Sequence, residues 1–230
     1  MGNAVQNQVK VSTKTLSDQV YGDLRDDIVH GHLPPGSKLK IEPLRERYKI
    51  GASPLREALS RLSADGFVSI RGQQGFKVMQ MTRTDLKDVT NVRILIENEA
   101  LTQSILSGDD HWEAGVVASF HSLSKLENAP GEKDTADHES RNFSFHSALL
   151  SANQSARLEQ FYLTLYDQHK RYRNLARGAN NPDRNIHEEH KALYEAVLQK
   201  DVKAATEANE FHIRKTAEIV ILLIDDEWDS

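Results

Sequence analysis

Cysteine is absent from all 230 residues, which excludes thiolate catalysis, iron–sulfur clusters, cysteine-ligated zinc and any disulfide framework at once. Long apolar runs are missing as well: the longest, Ile219 to Ile224, is far short of the roughly 18–20 residues that span a bilayer. The N-terminus shows no basic stretch followed by an apolar block, so no export signal is read and the expected location is the cytoplasm. Internal repeats and low-complexity tracts are not found either. What is present is 38% hydrophobic and 27% charged residues, enough to bury a core, over a length that favours two domains.

The net charge of −5 conceals an asymmetry. Residues 1–81 carry 12 Lys and Arg against 8 Asp and Glu, net +4, whereas residues 82–230 carry 17 against 26, net −9. A basic module joined to an acidic one suggests a polyanion-binding end and a separate regulatory or assembly end.

After a polar arm, Leu16, Val20, Leu24 and Ile28 recur every four residues, with Gly31 just past their end, and predict a first helix that buries this stripe. Leu33-Pro34-Pro35-Gly36 is a turn, and Pro43 suits the first position of a short helix through Leu44 to Tyr48. Gly51-Ala52-Ser53 interrupts the pattern; Pro54 then opens a third helix with Leu55, Leu59 and Leu62 on one face and Arg56, Ser60 and Arg61 on the outward one. Gly66 to Ile70 and Gly75 to Val78 alternate like two strands joined by Arg71-Gly72-Gln73-Gln74.

That order is a winged helix-turn-helix, whose recognition helix enters the major groove while arginines and helix N-termini hold phosphates. Arginine suits the task because its fork grips a phosphate or the guanine edge at two points. The alternative for Arg56 is an ion pair with Glu57 or Glu46.

From Thr84 onward the pattern is helical. Thr84 can cap a helix to about Ser107, and Asp109 or Asp110 can cap one bearing Trp112, Val116, Phe120 and Leu123; Pro130-Gly131 then breaks the chain. Stretches near 136–151, 155–177, 184–199 and 201–224 complete about six helices, a bundle. His146, His190 and His212 each have apolar neighbours at helical spacing and so face inward, with Asn142 one turn before His146. Three inward histidines on separate helices either satisfy the core or converge on a metal, since bundles hold metals with side chains from facing helices. Neutral imidazoles suit zinc, nickel, copper or iron(II), and three protein ligands leave positions open for a small anion. His187-Glu188-Glu189-His190 lacks the spacing of a metalloprotease helix, and His187 is expected to face solvent.

Residues 16–78 resemble the N-terminal domain of the GntR transcription regulators through Gly36 with Leu39 and Leu44, the string Pro54-Leu55-Arg56-Glu57-Ala58-Leu59, Leu62, Gly66, Phe67-Val68 and Gly75. The resemblance implies DNA contact by Arg56 and a wing tip at Gln73 and Gln74 near the minor groove. The family often has Ser-Arg where this chain has Gly51-Ala52, so Ser53 or backbone amides would take over base contacts there. Ser53, Arg56, Ser60, Arg61, Arg71, Gln73 and Gln74 form the expected DNA-binding set.

Residues 84 to about 222 resemble the FCD ligand-binding domain of the FadR subfamily, whose metal-binding members use one Asp and three His. The matching positions are Asn142, His146, His190 and His212, with Arg93 and Glu97 matching the first helix. Asn142 departs from the Asp and brings no negative charge. Asp109 to Ala114, His121 to Glu127 and the Gly51 turn further resemble the carbon-starvation-induced branch. The implied cofactor is a divalent metal, zinc first, with nickel, iron or manganese as alternatives. The implied effector is a small organic acid, for which Arg93, Arg141 and Arg173 are the candidate contacts.

The expected protein is therefore mainly α, a winged helix-turn-helix over residues 13–80 and a helical effector-binding and dimerisation domain over 84–224. It is expected to act as a homodimeric repressor on a pseudo-palindromic operator, with no catalytic residues and no membrane partner. The rivals are a hydrolase or lyase using the three histidines to activate water, and a helical interaction scaffold with core histidines.

Overall fold

Thr15 starts the first helix with a reciprocal cap: its hydroxyl accepts from the Asp18 amide at 3.1 Å, and the Asp18 carboxylate accepts the Thr15 amide at 3.1 Å. The helix that follows, α1 (Leu16–Val29), buries Ser17, Val20, Leu24, Ile28 and Val29. Leu16, expected in this stripe, is 68% exposed, because the first helical position projects past the end of the packed face. Gly31 reverses the chain in the left-handed region, with φ of 79°.

A strand β1 (Lys38–Leu39), helix α2 (Ile41–Tyr48), helix α3 (Ala52–Ala64) and strands β2 (Val68–Ile70) and β3 (Phe76–Val78) complete this first unit. Pro43 and Pro54, expected at first helical positions, stand third; an N–H there has no intrahelical acceptor, so proline loses nothing. Leu55, Leu59 and Leu62 are fully buried against Val20, Leu24 and Phe67, and burial of a leucine side chain of this kind contributes roughly 1.5–3 kcal/mol. The sheet is antiparallel in the order β1-β3-β2, Val68 facing Val78 and Ile70 facing Phe76. The sequence reading had two strands. β1 was missed because two residues are too few to show an alternation.

The computed structural model describes residues 15–70, 75–129, 135–175 and 184–223. Arg71, Gln73 and Gln74 of the expected wing tip lie outside them. The chain divides into two units, Met1–Gln80 and Met81–Ser230.

The second unit contains six helices among the described residues: α4 (Arg83–Ser107), α5 (Asp110–Glu127), α6 (Thr135–Leu150), α7 (Ala156–Leu175), α8 (Ile186–Leu198) and α9 (Val202–Leu223). Thr82, not Thr84, caps α4, its hydroxyl accepting from the Asp85 amide at 3.0 Å. Of the two candidate caps for α5, Asp109 serves, accepting from the Trp112 amide at 2.9 Å. Between these helices Gly108 lies under the Trp112 ring, 2.0 Å from where a Cβ would stand, so only glycine allows that approach. Trp112, Val116, Leu123, Phe145 and Leu193 form the main core, and the Trp112 indole donates to the Ala148 carbonyl at 3.0 Å. A smaller cluster joins Met81, Leu86, Tyr172, Ala217 and Val220. There the Thr82 amide donates to the Tyr172 hydroxyl at 3.2 Å, and that hydroxyl donates to Asp85 at 2.5 Å. No described helix is long and apolar enough to cross a membrane.

Candidate metal centre and nucleic-acid interface

On the outward face of α3, Arg56 is exposed and forms no ion pair among the described residues, with neither Glu46 nor Glu57 as partner. Ser60 is exposed beside it, its hydroxyl donating to the Arg56 carbonyl at 2.9 Å. Ser53 is exposed in the first turn, where amides lack intrahelical acceptors and attract anions. Arg61, expected to act with them, is held differently. Its guanidinium donates to Asp18 of α1 at 2.7 Å and lies 4.4 Å from the centre of the Tyr21 ring. The Arg61 hydrogen bond, followed by those from Thr15, lowers the Asp18 carboxyl to a pKa of about 2. Arg61 thus braces α3 on α1. In the sheet, Lys38 and Lys77 stand directly opposite each other, an unfavourable pairing of like charges that adds to the unit's positive field.

In the second unit, His146 of α6, His190 of α8 and His212 of α9 converge: one ligand nitrogen from each lies within 4.8 Å of the others, and all three side chains are buried. Their ring centres are 4.7–5.4 Å apart. Burial first, then the neighbouring histidines and arginines, pushes His146 and His212 well below the ordinary histidine value, so both are neutral and carry a lone pair. The Nε2 atoms of His146 and His190 are buried without a hydrogen-bond partner.

The opposite ring nitrogens are anchored. His190 Nδ1 lies 2.8 Å from Glu127 Oε1, and His212 Nδ1 lies 2.8 Å from Glu189 Oε2. A carboxylate acceptor fixes the proton on Nδ1 and leaves Nε2 as the free lone pair, the arrangement that orients histidines toward a metal. Burial raises Glu127, but hydrogen bonds from His138, His190 and His187 outweigh it and hold the carboxyl well below the usual range. Glu189 is gripped at both oxygens by Arg184, at 2.8 and 2.7 Å. His187 therefore does not simply face solvent: its Nδ1 lies 3.2 Å from Glu127 Oε2, and its ring stacks on Phe120. Helix α5 closes over that edge of α8.

The donor set fits a divalent cation. Imidazole nitrogens gathered at one point, with the Nε2 atoms of His146 and His190 unpartnered, suit an electron-pair acceptor. Asn142 is buried one turn before His146 and donates its amide nitrogen to the Tyr166 hydroxyl at 2.9 Å, so that its carbonyl oxygen is the atom it could offer to a cation.

The three candidate arginines part company. Arg93 of α4 is 2% exposed, donates Nε to Glu97 at 2.6 Å and approaches His169 of α7 with Nη1 at 3.2 Å. Arg173 donates to Glu139 at 2.7 Å and covers the Tyr166 ring at 4.6 Å. Arg141 is turned to Asp137, with which it makes two hydrogen bonds of 2.9 and 2.8 Å, and to the Ser122 carbonyl at 3.0 Å. The Ser122 bond ties α6 to α5. The sequence reading missed Glu127, Glu189, Arg184, His169 and Tyr166.

Comparison with known proteins bears on both sites. The model of the bacterial regulatory proteins of the gntR family matches residues 16–78, and that of the FCD domain matches residues 88–215. The uncharacterized HTH-type transcriptional regulator BphR of Paraburkholderia xenovorans is 41% identical, with 91% of this chain and 86% of that protein covered. The HTH-type transcriptional repressor GlaR of Escherichia coli is 35% identical over 84% of this chain and 90% of its own length. Among solved structures, Escherichia coli McbR/YncC superposes with a TM-score of 0.76 over 91% of this chain and 99% of that one, at 21% identity, a likeness of fold.

Proposed function

Because the chain belongs to the GntR family of transcriptional regulators and carries an FCD effector-binding domain, we propose that it is a cytoplasmic, metal-dependent repressor whose grip on its operator is set by a small organic acid. The carrying observation is the convergence of His146, His190 and His212 with lone pairs inward and carboxylates behind them. With Asn142 these residues would hold one divalent cation, zinc first. When bound, the cation supplies a positive centre for an acid's oxygen; Arg93 and Arg173 bring donors from α4 and α7, and Arg141 is left out because Asp137 occupies it.

On the DNA side, Arg56 is the principal contact, supported by Ser53 and Ser60, with Arg71, Gln73 and Gln74 as further contacts. Two copies would engage the half-sites of a pseudo-palindrome, because one recognition helix reads only a few base pairs. Leu95, Leu106, Phe211 and Leu222 are large apolar side chains exposed on α4 and α9, and self-association is a use for them. Repression is favoured by the similarity to GlaR, a transcriptional repressor. The matched families and relatives are transcriptional regulators, and a hydrolase or lyase finds no support among them.

The test is a gel shift of full-length protein against its own upstream DNA, with and without zinc and a panel of small carboxylic acids. Release of DNA on adding an acid supports the reading; binding to no fragment, or binding that no acid alters, counts against it. Elemental analysis of protein purified without a nickel column should find about one equivalent of metal per chain, lost in His190→Ala.

A further inference from the structure

His169 lies in the second unit on α7, fully buried, and the sequence pattern gave it no role. Its Nδ1 is 3.2 Å from Nη1 of Arg93. A guanidinium only donates, so Nδ1 must accept, and a neutral His169 then carries its proton on Nε2. Burial, with Arg93 and Arg173 adding to it, holds this imidazole neutral by pushing it well below the ordinary histidine value. That Nε2–H is buried and has no acceptor, and Nη2 of Arg93 is likewise buried and without one. Two joined side chains from two helices thus end in bare donors, a costly arrangement unless something accepts from them.

Their chemistry is the reverse of the histidine trio. There the inward atoms offer lone pairs and suit a cation; here they offer hydrogens and suit an anion. Glu97 already neutralises Arg93 through Nε at 2.6 Å, so the pair presents shaped donors more than surplus charge. We propose that His169 Nε2–H and Arg93 Nη2 form a carboxylate subsite, which makes His169 a specificity-determining contact for the organic acid.

The proposal rests on the effector reading above, and adds a neutral second donor on α7 to the arginine on α4. Each donor can take an oxygen of an entering acid, His169 from α7 and Arg93 from α4. An acid that also presents an oxygen to the cation would be held at both points.

The test uses full-length protein loaded with zinc, titrated calorimetrically with straight-chain mono- and dicarboxylic acids of two to six carbons and with lactate and malate. For whichever acid binds, His169→Phe should weaken binding about 10- to 100-fold, as expected for loss of a hydrogen bond to a charged acceptor. His169→Gln, which keeps an N–H and an acceptor, should recover most of it, and zinc content should be unchanged in both. Nitrogen-15 spectra of histidine-labelled wild type should show His169 protonated on Nε2. Unchanged acid binding in His169→Phe, or a proton found on Nδ1, overturns the subsite and leaves the effector reading standing. Failure of every acid to bind wild type overturns both. Should His169→Phe not fold, the tautomer and His169→Gln decide, the latter by retaining acid affinity or by losing it as fully as an acid lost in Arg93→Ala.

Discussion

Glu127 at the end of α5 reaches 63 residues along the chain to take His190 Nδ1 at 2.8 Å, and the same carboxylate meets His187 at 3.2 Å. A buried carboxylate so placed fixes the ring and its tautomer, and makes the far nitrogen a better electron donor. The histidine trio is therefore prepared from behind by acids that do not themselves converge with it.

Removing that support should weaken metal retention without removing a ligand. Glu127→Gln is expected to lower zinc affinity by about 10- to 100-fold, measured by competition with a chromophoric chelator. Wild-type affinity in this variant would show that His190 is oriented by packing alone.

Arg56 and Arg61 should separate in the same assay. Arg56→Ala is expected to lower operator affinity about 10- to 100-fold and leave the Tm unmoved, since Arg56 has no ion pair to lose among the described residues. Arg61→Ala should lower the Tm slightly, with a smaller loss of DNA affinity, and Asp18→Ala should reproduce its effect on Tm, because the two share one brace. Equal losses of DNA binding in both arginine variants would contradict this division.

The helix start at α4 gives a sharp contrast between near neighbours. Thr82→Ala should destabilise the protein by about 1 kcal/mol through loss of the cap on the Asp85 amide. Thr84→Ala should be nearly neutral, as that side chain is exposed on the first turn. Chemical denaturation of the two variants side by side is the measurement.

Gly108→Ala should be harmful although the backbone there is unexceptional. A Cβ would stand 2.0 Å from the Trp112 ring, and relieving such overlap costs roughly 1–3 kcal/mol in a packed core. The fall in Tm should be accompanied by a change in tryptophan fluorescence as the ring moves.

The helices of both units were legible because apolar residues recur every three or four positions, with Gly31 and Gly51 interrupting the pattern between the first helices. The same spacing turned His146, His190 and His212 inward. It could not reveal Glu127 or Glu189, since a carboxylate that is buried by another helix looks like surface in its own. His169 shares that spacing with Tyr162, Tyr166 and Tyr172, all buried, but nothing in α7 shows that Arg93, 76 residues away, meets it. Arg61 leaves α3 on the outward face as the helix geometry predicts, but nothing in that geometry shows Asp18 beside it on α1.

One consequence concerns Asn142. An amide there, where a carboxylate would bring negative charge, would leave a bound divalent ion with more of its positive charge undiminished by its direct ligands. An arriving acid would then double as counter-ion, and each guest would tighten retention of the other by an equal factor.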